Sequence, residues 1–89
     1  MDEKQPNLIT SGYSKHITQD GITIELCIYC LEDKLDEWTL EVVNYKGTSI
    51  VWDDVFSTDD AAYVEYKRTV RDEGMKTFLD NGNVIQFPR

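Results

Sequence analysis

The sequence predicts a small α+β domain: an antiparallel four-stranded meander sheet followed by one packed α-helix (ββββα) with a short C-terminal element. Three observations predict it. Apolar residues alternate over residues 22–31 and again over 38–43, which is the period of a strand. Turn residues separate the alternating runs. After residue 57 the apolar spacing changes to threes and fours, the period of an amphipathic helix.

The first strand is expected at about 13–18, where Tyr13, Lys15 and Ile17 alternate with Ser14, His16 and Thr18. Gln19-Asp20-Gly21 supplies a tight turn, because Asp-Gly tolerates positive φ. The second strand is the clearest: Ile22, Ile24, Leu26, Ile28 and Cys30 share one face, and Thr23, Glu25, Cys27, Tyr29 and Leu31 the other. A charged connection follows, and Trp38, Leu40 and Val42 then alternate with Thr39, Glu41 and Val43 as the third strand. Asn44-Tyr45-Lys46-Gly47 turns the chain into a fourth strand over 48–52, with Ile50 and Trp52 on one face.

The helix is expected from about 59 to 73. Ser57 or Thr58 can cap it, Asp59 and Asp60 put negative charge at the positive end of its dipole, and Gly74 stops it. Ala62, Tyr66 and Val70 mark its apolar stripe, with Tyr63 beside them. Met75 to Leu79 read as a short helical turn in which Met75, Phe78 and Leu79 pack under the sheet edge. Residues 1–11 are expected to be a flexible N-terminal tail, 12–80 a single α+β domain, and 81–89 a C-terminal turn with a candidate extra strand at 84–87. That strand could pair with a sheet edge, hang free or pair with a second copy.

Length and charge limit the function classes. A chain of 89 residues holds one core. The net charge is -8, and nine of the seventeen acidic residues fall within residues 32–60, against two basic ones. That distribution repels a phosphate backbone, so direct nucleic-acid binding is not expected. No stretch reaches the length of a membrane span and no signal segment opens the chain, so a cytoplasmic protein without a membrane partner is expected.

The string Trp38-Thr39-Leu40-Glu41-Val42-Val43-Asn44, then Gly47 through Trp52-Asp53-Asp54-Val55-Phe56-Ser57-Thr58-Asp59, then Glu73-Gly74-Met75 through Phe78, resembles a group of short uncharacterised bacterial proteins. Its most distinctive part is the Val-Trp-Asp-Asp-x-Phe-x-Thr-Asp run. The resemblance implies a bacterial origin and a strand-to-helix unit, and it brings no catalytic residue with it.

Motifs that look chemical have structural explanations. Cys27 and Cys30 form a Cys-x-x-Cys, yet both lie in a strand, where residues three apart point to opposite faces. Neither a disulfide nor a zinc site is expected, since His16 is the only further soft ligand. No serine or cysteine stands beside His16 in sequence as a nucleophile, so a triad cannot be built. Glu32, Asp33, Asp36 and Glu37 suit a solvated loop better than acid/base catalysis. Asp53, Asp54, Asp59 and Asp60 suit turns and a helix start first, a basic partner second, and Mg²⁺ or Ca²⁺ third.

The expected function is therefore a non-catalytic protein-interaction or regulatory module, self-associating through a sheet face or edge, with no cofactor and no metal. An acidic decoy for a basic nucleic-acid-binding protein is the alternative. The candidate partner-binding residues are Trp52, Asp53, Asp54, Phe56, Asp59 and Asp60. The side of the sheet that carries Tyr29, Leu31, Val43 and Val51 is the candidate surface for a homodimer or another protein.

Overall fold

The structure, a computed structural model, describes residues 6–79. Its spine is strand β3 (Ile22–Leu31), which follows two shorter strands in the chain. Strand β2 (Lys15–Gln19) folds back on the first half of β3, from Lys15 opposite Leu26 to Gln19 opposite Ile22. The turn between them holds Asp20 at φ 55° and Gly21 at φ 78°, the paired left-handed conformation that suits the twist of a hairpin. Strand β4 (Thr39–Val43) pairs with the other edge of β3, and β5 (Ser49–Val51) pairs with β4. The meander over β2 to β5 is the expected one.

The edge beside β2 differs from expectation. Leu8–Thr10 form strand β1, which pairs with Leu31 to Tyr29 at the far end of β3, where the sequence suggests only a loose tail. The reason is the length of β3: β2 pairs only as far as Leu26, so the backbone beyond it requires another partner. Between the two short strands the Ser14 hydroxyl substitutes for a ladder carbonyl, accepting the Ile28 N–H at 3.0 Å. The Ser11 N–H completes the patch with a bond to the Ile28 carbonyl at 2.8 Å. The rest of the expected tail, 1–5, and the expected turn and strand over 81–89 lie outside the described residues.

Helix α1 (Asp59–Glu73) begins where the Thr58 hydroxyl accepts the Ala61 N–H at 3.0 Å. It ends at Gly74, whose φ of 82° favours glycine and whose N–H reaches the Val70 carbonyl at 2.8 Å. Its buried side holds Ala62, Glu65, Tyr66 and Thr69. A 3-10 helix, Met75–Phe78, follows and plugs the end of the layer.

The core lies between the sheet and these two helices. Ile24, Leu26, Ile28, Leu40, Val42, Ile50 and Trp52 meet Ala62, Tyr66, Met75 and Phe78 in one cluster. The Tyr66 and Phe78 rings stack with centroids 6.0 Å apart. Leu79, expected packed with them, is in extended backbone after the 3-10 helix and is 36% exposed, lying beside Gly21, Ile22, Thr23 and Tyr45. Asn44 locks the β4–β5 turn to this plug. Its carboxamide oxygen accepts the Lys46 and Thr48 N–H groups at 2.9 and 3.0 Å, and its NH₂ donates to the Phe78 carbonyl at 3.1 Å.

Candidate functional site: an acidic, apolar pole at one end of the sheet

Strand alternation that fills the core leaves a second sheet face, which neither helix covers. Thr23, Glu25, Cys27, Tyr29 and Leu31 of β3 lie on it, with Thr39, Glu41 and Val43 of β4, Ser49 and Val51 of β5, and Leu8 of β1. Its middle is polar and internally bonded. Tyr29 donates to Glu41 at 2.9 Å and Ser49 donates to the other Glu41 oxygen at 2.7 Å. Partial burial, together with that carboxylate, pushes the Tyr29 phenol up to about 12.

One end of this face has a different character. The register places the C-terminus of β3, the N-terminus of β4 and the C-terminus of β5 together, so the loops over 32–38 and 52–58 leave the sheet side by side. Trp38 and Phe56 tie them with reciprocal backbone bonds of 2.8 and 2.9 Å. Two successive turns, Lys34 N–H to Leu31 C=O at 2.9 Å and Glu37 N–H to Lys34 C=O at 3.1 Å, fold the first loop into a compact knob.

Four large aliphatic side chains are left in solvent there: Leu8 at 59% exposure, Leu31 at 38%, Leu35 at 61% and Val55 at 53%. Leu8, Leu31 and Val55 line a groove of about 280 Å³ with Tyr29, Thr39, Lys34 and Glu37. The same two loops carry the exposed carboxylates of Glu32, Asp33, Asp36, Glu37, Asp53 and Asp54, against the single cation of Lys34.

The six residues singled out from sequence do not form one surface. Trp52 and Phe56 are buried in the core, where the Trp52 indole N–H donates to Glu65 at 3.1 Å. Neither offers an aromatic face to a partner. Asp53 and Asp54 are exposed at the pole. Asp59 accepts a bond from the Ser11 hydroxyl at 2.7 Å, and Asp60 accepts one from Tyr13. Helix-start carboxylates thus clasp the kink between β1 and β2, and the Tyr13 ring stacks on Tyr63 with centroids 4.2 Å apart. The bond to Asp60 raises the Tyr13 phenol above its usual value.

Among the described residues no three His, Cys, Asp or Glu side chains converge on a point that could hold a metal ion. Cys30 is buried on the core face while Cys27 lies half-buried on the open one, and both are free thiols raised by burial. His16 is exposed on the edge strand opposite Glu25. No helix among the described residues is long and apolar enough to cross a membrane.

Of the aliphatic residues at the pole, sequence reasoning singled out Leu31 and missed Leu8, Leu35 and Val55. Leu35 is an isolated apolar residue in a charged loop, and Val55 is out of phase with the buried Trp52 and Phe56. Both signals were present, but a lone exposed aliphatic residue is ordinary on a protein surface. Val55 stands apart by meeting Leu8 and Leu31 around one groove, and Leu35 by its place on the loop beside it. Comparisons with protein-family models, with curated proteins and with solved structures gave no match.

Proposed function

We propose that this chain is a non-catalytic protein-interaction module that docks a cationic, apolar surface of a partner protein on its acidic pole. The observation that carries the reading is the gathering of Leu8, Leu31 and Val55 around one groove where the two acidic loops leave the sheet, with Leu35 exposed on the first of those loops. Fully burying one such side chain stabilises a complex by roughly 1.5 to 3 kcal/mol, whereas exposed ion pairs contribute about 0 to 1 kcal/mol. Affinity would therefore come from the aliphatic residues, and the carboxylates would speed encounter and reject acidic surfaces. A decoy that occupies a nucleic-acid-binding site is a narrower form of this reading, and displacement of the partner's nucleic acid would reveal it. Two free thiols on opposite sheet faces fit the reducing cytoplasm.

Affinity capture from the native cell, with the wild-type chain beside a Leu31→Asp/Val55→Asp variant of unchanged melting temperature, tests the reading. A protein held by the wild type and lost by the variant is the expected result. An identical set held by both would refute docking at the pole.

A further inference from the structure

We propose that the groove between β2 and α1 receives the acidic knob after β3 from a second copy of this chain, so that copies associate head to tail. This rests on the reading of the pole as a docking surface and names one occupant for it. The groove exists because α1 packs over β3 and β4, leaving the core side of the edge strand β2 only partly roofed. Lys15, Ile17 and Gln19, alternate residues of β2, form one wall, and Tyr63, Lys67, Val70 and Arg71 form most of the other. The space is about 410 Å³, room for several side chains rather than a single ion.

Its chemistry is opposite to that of the pole. The floor is apolar, with Ile17 and Val70 half-buried. The rim carries the exposed cations Lys15, Lys67 and Arg71, and among the described residues no Asp or Glu lines it. The Lys67 ammonium is held over the Tyr63 ring, 4.7 Å from its centroid. Tyr63 is itself fixed by stacking on Tyr13. Arg71 spends its Nε–H on Asp72 at 3.1 Å, which leaves the other guanidinium donors for a ligand.

An occupant must therefore be convex, anionic and tipped with an apolar side chain. The knob over residues 32–37 fits each requirement: Leu35 projects at 61% exposure, flanked by Asp33, Asp36 and Glu37, on a loop stiffened by two turns. Knob and groove lie toward opposite ends of β3, since β2 pairs only with residues 22–26. A copy cannot fill its own groove, and in the head-to-tail contact proposed each copy keeps one knob or one groove free for the next, which sets it apart from a two-fold pair that would exchange both knobs. The overall charge of -8 opposes association, but at ~0.15 M salt it is screened beyond about 8 Å, so the local pairs decide.

Sedimentation equilibrium of the full chain tests this, with the chain itself as the probe. The expected result is a weight-average mass that rises with concentration past that of a dimer. Leu35→Asp, which spoils the knob, and Lys67→Glu/Arg71→Glu, which reverses the groove, should each stay monomeric. Their equimolar mixture should stop at a dimer, because only one intact knob and one intact groove remain. A lowered melting temperature in the groove variant would move the test to Lys15→Glu on β2, with the same expectation. A monomeric wild type, a wild type that stops at a dimer, or a mixture that stays monomeric would overturn the proposal. If the wild type is monomeric yet still captures a protein that Leu31→Asp/Val55→Asp loses, the pole reading survives without this occupant; loss of both results removes both.

Discussion

The two faces of one strand differ in how much of each is buried. Toward the helix, β3 presents Ile22, Ile24, Leu26, Ile28 and Cys30, of which the last four are buried. Toward the other side it presents Thr23, Glu25, Cys27, Tyr29 and Leu31, none of them buried. The first set is apolar from end to end, and the second becomes so only where the strand reaches the acidic loops. Burial is thus concentrated on one side of the sheet, and the proposed recognition surface lies at one end of the other.

That contrast should appear as a gradient of mutational effects. Phe78→Ala removes a side chain with no exposed surface, at the junction of sheet, α1 and 3-10 helix, and should cost about 3 to 5 kcal/mol in denaturant unfolding. A loss below about 1 kcal/mol would mean that the 3-10 helix is not part of the core. Asn44→Ala deletes three hydrogen bonds at a buried position and should cost about 2 to 3 kcal/mol. On the open face the effects should shrink. Tyr29 titrates near 12 in the folded chain against 10 unfolded, so the folded state holds its proton more tightly. Its contribution to stability is complete below pH 10 and is lost as the pH rises from 10 toward 12. Tyr29→Phe should flatten that part of the alkaline unfolding curve, and an unchanged curve would place the effect elsewhere. At the pole, Leu31→Asp/Val55→Asp should move the unfolding midpoint by no more than about 0.5 kcal/mol in stability while abolishing partner capture.

Much of the first side was legible in the sequence. The alternation of β3 depends only on residue parity, and the bounds of α1 follow from local chemistry, Thr58 with Asp59 and Asp60 at one end and Gly74 at the other. What depends on distant partners was not legible. β1 exists because β3 extends beyond β2, a fact of pairing rather than of the Leu8–Thr10 sequence. Glu65 is buried although its residue type suits solvent, because Trp52, thirteen positions away, donates to it and Arg68 bridges to it at 2.6 Å. The Asp53 to Asp60 run looked like one constellation, yet the structure divides it among an exposed loop, the core and a clasp on Ser11 and Tyr13.

The chain carries its own probes of the central contrast, one cysteine on each side of β3. Alkylation of the native protein, followed by peptide mass spectrometry, compares Cys27 on the open face with Cys30 at 3% exposure in the core. Burial raises both thiols, with Glu25 and Glu41 adding to it at Cys27 and Asp59 at Cys30, so a faster Cys27 would report access. Cys27 should react at least about tenfold faster, with Cys30 labelled only as the fold opens; equal rates, or a faster Cys30, would contradict a sheet sealed on one side and open on the other.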